Sequence, residues 1–185
     1  MATTGIIFAI NGPIVKTSND SGFEMHEMVY VGEENLVGEV IGLTSDATVI
    51  EVYEETGGIK PGEIVTGTGA PVSVTLAPGI LNNIFDGIER PLSEIAKVDG
   101  TYISRGVSVD SLDTKKLWKT HITVKPGQAI DGGTIIAEVP ETPAILHRVM
   151  LSPNLKGYVL DVVEDGEYTI NDKILTLQLE DGSEI

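Results

Sequence analysis

The 185-residue chain contains no cysteine, which excludes both a disulfide framework and a thiolate metal site and suits a reducing compartment. Histidine is nearly as scarce. His26, His121 and His147 lack the i, i+4 or paired spacing of a local metal site, so each reads as a structural histidine. Basic residues number 12 against 28 acidic ones, and the net charge of −16 repels phosphate backbones and anionic headgroups. Neither nucleic acid nor direct membrane contact is expected. Met1 to Phe8 lacks a basic n-region and a long apolar run, and no stretch approaches the roughly 18 apolar residues of a membrane span. A cytoplasmic protein follows as the expectation. Asn19-Asp20-Ser21 matches a glycosylation sequon, a match frequent by chance that we set aside.

Hydrophobic residues make up 41% and charged residues 22%, the balance of a chain that buries a core. Short runs rich in Val, Ile and Thr recur between turn residues. Gly5–Ile10, Met25–Val31, Leu36–Leu43 and Ala47–Tyr53 read as strands. In the last of these Val and Tyr alternate with polar residues after a Ser45-Asp46 turn. Asn11-Gly12-Pro13 and Lys60-Pro61-Gly62 punctuate the runs, because glycine accepts positive φ and proline cannot donate to a ladder. Residues 1–75 are expected to form a small β-barrel.

Residues 76–110 are expected to be a connector with short helices. Ile80–Phe85 has helical apolar spacing, and Pro91–Val98 follows a proline suited to a first turn. Asp86 and Arg90, four apart, read as an exposed pair of little weight. From Trp118 strand texture returns in Lys119–Val124, Gly133–Val139, Ile145–Leu151, Gly157–Val163, Glu167–Ile170 and Ile174–Leu179. Residues 111–185 are expected to form a second β module, a compact sandwich or barrel. The fold class is mainly β. The acidity concentrates in the barrel: residues 1–75 carry −9, residues 76–110 carry −2 and residues 111–185 carry −5. This reads as a solvated face.

Catalytic motifs are not found. A phosphate-binding loop needs glycines whose N–H groups surround the phosphates before Lys and Ser or Thr. Lys16-Thr17 and Lys119-Thr120 are preceded by Val15 and Trp118 where glycine is required. Gly67-Thr68-Gly69 has no third glycine and no following helix, and reads as a turn. No serine lies in a Gly-x-Ser-x-Gly elbow. Glu33-Glu34 and Glu54-Glu55 read as solubilising charges, because neighbours on a strand point to opposite faces. Trp118 stands beside Lys115, Lys116 and Lys119, but one aromatic in an acidic chain makes no stacking platform and reads as a core or interface anchor. No catalytic, cofactor-binding or metal-binding residue is assigned.

Several strings together resemble one family. They are Ile10-Asn11-Gly12-Pro13-Ile14-Val15, Val52-Tyr53-Glu54-Glu55-Thr56-Gly57-Gly58-Ile59-Lys60-Pro61-Gly62-Glu63, Leu76-Ala77-Pro78-Gly79-Ile80-Leu81, Phe85-Asp86-Gly87-Ile88-Glu89-Arg90-Pro91-Leu92 and Ile103-Ser104-Arg105-Gly106-Val107. They resemble elements of the catalytic A subunit of archaeal and bacterial A/V-type rotary ATPases, with Asn11 in place of a usual serine and Ala77 in place of a usual glycine. Leu112-Asp113 through Trp118 is similar to the opening of that subunit's extra module, the bulge or non-homologous region.

The resemblance implies a barrel for ring assembly and a bulge for peripheral-stalk contact. Its implied partners are the stalk subunits and the B subunit of a complex coupling ATP hydrolysis or synthesis to proton or sodium-ion transport. In that family the phosphate-binding loop follows the bulge, so the chain is expected to be a fragment ending before it, with ATP and Mg bound only by the full-length subunit. The second module also resembles the barrel-sandwich hybrid of biotinyl and lipoyl carriers, through Val124–Ile130, Gly133–Val139 and Ser152–Val159. A carrier needs a lysine at an exposed hairpin tip, and Glu141-Thr142-Pro143-Ala144-Ile145-Leu146 has none. A carrier or small-ligand module is the alternative reading, and a free-standing hydrolase using the acidic residues a third.

Overall fold

A computed structural model describes residues 3–18, 21–81, 83–100 and 102–185; the sequon at Asn19-Asp20 lies outside them. The chain divides into two units, Met1–Val74 with Phe85–Val109, and Thr75–Ile84 with Asp110–Ile185. Residues 76–110, expected as one connector, are therefore shared between the two.

The first unit is built on six antiparallel strands: β1 Thr4–Asn11, β2 Ile14–Thr17, β3 Glu27–Val31, β4 Leu36–Leu43, β5 Thr48–Val52 and β6 Ile64–Pro71. They close in the order β1-β2-β5-β4-β3-β6, because β6 pairs with both β3 and β1. Closure leaves no free sheet edge. Alternation puts Val29 and Val31 of β3, Ile50 and Val52 of β5, and Leu36 and Val40 of β4 inside with Ile7, Val15 and Val65. The alternation expected over residues 47–53 turns Val and Tyr inward. Val52 is buried, together with Thr48 and Ile50, whereas Val49 is half-buried and Tyr53 lies outside beyond the end of β5. Phe23 packs among the core residues. Gly5 makes room for it, since a Cβ there would lie 2.8 Å from the Phe23 ring and 2.7 Å from Ser21 Oγ.

Gly67-Thr68-Gly69 lies within β6 and is not a separate turn. There the Gly69 N–H donates to buried Glu27, 2.8 Å away. The same unit contains α1, Leu92–Asp99, which begins after Pro91, buries Ile95 and stops at Gly100 with φ 80°. The helix expected over Ile80–Phe85 does not form in its described residues. Gly79 has φ 108°, outside the helical region, and its carbonyl accepts from the Asn83 side chain at 2.7 Å.

The second unit contains a four-stranded sheet, β10-β9-β7-β12, and a three-stranded sheet, β13-β11-β8. The strands are β7 Trp118–Ile122, β8 Ala129–Asp131, β9 Ile135–Thr142, β10 Ile145–Met150, β11 Lys156–Val162, β12 Gly166–Tyr168 and β13 Leu175–Leu179. Val124, Ile130, Ile136, Leu151, Val159 and Leu177 form its core. Among the described residues no helix is long and apolar enough to cross a membrane.

Candidate functional site

The densest polar cluster of the first unit is built by residues 85–109 folding back on the barrel. Asp86 opens a tight loop, its Oδ1 accepting the N–H groups of Ile88 at 3.1 Å and Arg90 at 2.9 Å. That loop sets the Arg90 side chain, whose Nε donates to Asp86 Oδ2 at 2.7 Å. Its terminal nitrogen donates to Glu54 Oε1 at 2.8 Å and to the Val107 carbonyl at 2.9 Å. Glu54 Oε2 in turn accepts the Gly106 N–H at 2.7 Å.

Burial works against ionisation of Asp86, but the Arg90 N–H, the Arg90 guanidinium and the Ile88 N–H outweigh it and hold the carboxyl below its ordinary value. Arg105 grips Glu34 with two nitrogens, at 2.7 and 2.8 Å. Glu54 and Glu34, expected as solubilising charges, are thus the barrel's anchors for the returning segment. The Asp86–Arg90 pair, expected to be exposed, is mostly buried. A cleft of about 470 Å³ opens beside these anchors, lined by Met28, Tyr30, Glu34, Val37, Arg90 and Val107 among others.

A second cluster joins strands on the barrel's outer face. Glu39 accepts from the Tyr53 hydroxyl at 2.5 Å, and its other oxygen meets His26 Nδ1 at 2.7 Å. The bond to Glu39 is the main reason the Tyr53 phenol is raised to about 12, followed by burial. Tyr53 and then His26 hold Glu39 below its ordinary value. A phenol shifted upward is a poor proton donor near neutrality and no nucleophile.

In the second unit the Glu141 side chain is only 2% exposed. Its Oε1 accepts the N–H groups of Gly79 at 2.8 Å and Leu81 at 3.1 Å, while Oε2 lies 3.4 Å from His147 Nδ1. His121 pairs with Asp165 at 2.6 Å. The Ile122 N–H, followed by His121, holds Asp165 below its ordinary value. Each of the three histidines thus meets its own carboxylate. No group of three His, Asp or Glu placed to hold a metal ion occurs among the described residues.

Trp118 is buried, with Lys116 Nζ 3.8 Å from its ring centroid, so one ring face is occupied by a cation. At the β9–β10 hairpin the carrier position offers Pro143-Ala144, with Glu141 buried behind it.

Two family models match in succession. Residues 7–69 match the ATP synthase alpha/beta family beta-barrel domain, and residues 109–185 match the ATPsynthase alpha/beta subunit barrel-sandwich domain. The V-type ATP synthase alpha chain of Halothermothrix orenii is 48% identical over 183 residues, which cover 99% of this chain and 31% of the relative. The A subunit of the A-type ATP synthase of Methanopyrus kandleri is 46% identical over 97% of this chain and 30% of its own length. Its counterpart in Pyrococcus abyssi is 44% identical over 98% of this chain and 18% of its own length.

The chain belongs to the ATP synthase alpha/beta family. It carries the family's beta-barrel and barrel-sandwich domains and spans less than a third of the length of these relatives. The strings that resemble the family acquire physical roles in this portion. From Val52-Tyr53-Glu54-Glu55-Thr56, Tyr53 bonds Glu39, Glu54 receives Arg90 and Gly106, and Thr56 donates to the Gly12 carbonyl at 2.6 Å. Asp86 and Arg90 come from a second string, and Arg105 and Gly106 from a third. The sequence displays these strings separately and carries no sign that they meet in one ion network.

Proposed function

We propose that this chain is the assembly portion of the A subunit of a V/A-type ATP synthase, a complex that couples ATP hydrolysis or synthesis to proton or sodium-ion transport. The observation that carries this reading is the near-complete match of the chain, through both domains, to A-type and V-type ATP synthase chains. The barrel joins a ring with B subunits, and the barrel-sandwich module contacts the peripheral stalk. A closed barrel suits the first task, because a sheet without edges stays rigid while neighbouring domains move. ATP and Mg are handled by the part of the relatives' length outside the match, and this chain by itself turns over no nucleotide. The complex sits on the cytoplasmic side, peripheral to the membrane.

Co-expression with the B and stalk subunits of the same complex tests the reading. The chain is expected to co-purify with them and to show no ATPase activity alone. Failure to associate with either partner, or turnover abolished by substituting one residue of this chain, would overturn it. The barrel-sandwich match also keeps the carrier reading testable. Intact mass after expression with a biotin or lipoate ligase is expected to be unchanged, since the Pro143-Ala144 tip lacks a lysine.

A further inference from the structure

Asn11 closes the β1–β2 hairpin opposite Ile14, and Gly12-Pro13 is the two-residue loop between them. Gly12 has φ 58° and Pro13 holds its own φ negative, so the loop is a type II′ turn with glycine where positive φ is required. Asn11, Gly12 and Pro13 are all exposed, and a Cβ built on Gly12 would meet nothing within 4 Å.

The side-chain carbon of an asparagine lies one five-membered ring away from the next backbone nitrogen. A side chain on the following residue obstructs that approach, and glycine has none. Asn11 is the chain's only asparagine followed by glycine, whereas Asn35, Asn83, Asn154 and Asn171 precede Leu36, Ile84, Leu155 and Asp172. Both reacting groups are also unengaged. Among the described residues the Asn11 carboxamide has no hydrogen-bond partner and the Gly12 N–H donates to no carbonyl. Ring closure must swing the Asn11–Gly12 peptide out of the strand. That costs the terminal pair with Ile14 and the 2.6 Å bond from Thr56 Oγ1 to the Gly12 carbonyl. Both contacts belong to an exposed loop tip, the part of a sheet that opens at the lowest free energy.

We infer that Asn11 is a self-modification site, converted in the folded chain to aspartate and isoaspartate without an enzyme. The Gly12 nitrogen gives its proton to solvent base and bonds to Asn11 Cγ. The Cγ–Nδ2 bond then breaks, and ammonia leaves with a proton taken back from solvent. Water opens the cyclic imide at either carbonyl, so the net change is one water consumed and one ammonia released. Either product adds a negative charge to a chain already at −16. Isoaspartate also inserts a methylene into the backbone, which removes the register of Asn11 with Ile14 and draws the Gly12 carbonyl away from Thr56. The inference is independent of ring assembly and gives the barrel hairpin a slow covalent change of its own.

The test incubates the 185-residue chain in mildly alkaline buffer, with folding followed by circular dichroism, and maps its peptides by mass spectrometry. The peptide carrying Asn11 is expected to gain about one dalton with first-order kinetics, ahead of every other asparagine-bearing peptide, and to elute as two products. The isoaspartate product is expected to accept a methyl group from protein isoaspartyl methyltransferase. Asn11→Gln, which would need a six-membered ring, is expected to slow the gain at this position at least about ten-fold. No gain at Asn11 in the folded chain over a time in which the urea-unfolded chain is fully modified there would overturn the inference. So would an earlier gain at another asparagine, or an undiminished rate in Asn11→Gln. The first two outcomes are read on the unsubstituted chain and do not depend on whether the variant folds.

Discussion

Arg90 and Glu54 lie 2.8 Å apart, with side chains 13% and 12% exposed, and they join two parts of the chain separated by 36 positions. The pair is mostly buried and its hydrogen bonds are shared with Asp86, Val107 and Gly106. Removing one member of such a group leaves the others as uncompensated charge in a poorly solvated place. Arg90→Ala is therefore expected to destabilise the first unit by about 3–5 kcal/mol, and Glu54→Gln by less, because the amide oxygen still accepts a hydrogen bond. Urea unfolding measures the loss, and faster hydrogen exchange across residues 85–109 would localise it.

The pH dependence of the same cluster has a definite sign. Asp86 is held below its ordinary value in the folded chain, so its contribution is complete above the unfolded aspartate value of about 3.9. That contribution is lost as the pH falls through the lower folded value. Stability measured downward from pH ~4 is expected to fall less steeply in Asp86→Asn than in the unmodified chain, from a lower starting point.

Tyr53 titrates in the opposite sense. Its phenol is raised to about 12 by the bond to Glu39, so the stabilisation it supplies is intact below the unfolded value of about 10 and disappears as the pH rises toward the folded one. An alkaline titration followed by tyrosinate absorbance is expected to show one late-ionising phenol among the 5 tyrosines, absent in Tyr53→Phe.

Glu141 makes the corresponding prediction for the second unit. Its carboxylate receives the N–H groups of Gly79 and Leu81, and hydrogen bonds to charged acceptors contribute about 1.5–3 kcal/mol each. Glu141→Ala is expected to cost about 3 kcal/mol in thermal or urea unfolding and to expose those two amides to exchange.

Close packing sets the last expectation. Gly5→Ala places a methyl 2.7 Å from Ser21 Oγ and 2.8 Å from the Phe23 ring. It is expected to destabilise the barrel by about 1–3 kcal/mol through overpacking, read as a lowered midpoint in urea with an unchanged slope.

Residues with a clear two-residue period are readable from sequence. Leu36–Leu43 forms β4 with the expected bounds, and Pro91 marks the start of α1. Strands β2, β6 and β8 carry too little signal to be read as strands. β2 and β8 are four and three residues long, and β6 carries Gly67, Gly69 and Pro71, which weaken any strand signal taken alone. Their extended form is imposed by neighbours, as Lys16 and Thr17 pair with Val49 and Thr48 of β5. The polar clusters are less legible than the strands. Glu54, Arg90 and Gly106 have no local pattern announcing that they meet, since their contact depends on the path of residues 85–109. Glu141 looks like any acid near a hairpin, and only the positions of Gly79 and Leu81 give it a purpose.

The division of the chain into Met1–Val74 with Phe85–Val109, and Thr75–Ile84 with Asp110–Ile185, bears on how this architecture can be taken apart. Neither unit is one uninterrupted stretch of polypeptide, so no single cut leaves both of them whole. Severing the chain after Val109 would strand Glu141 without Gly79 and Leu81, and severing it after Val74 would strand Glu54 without Arg90. Recombination or domain exchange in such a protein must carry both passes of the backbone together, and a graft that carries one inherits a buried carboxylate with nothing to bind.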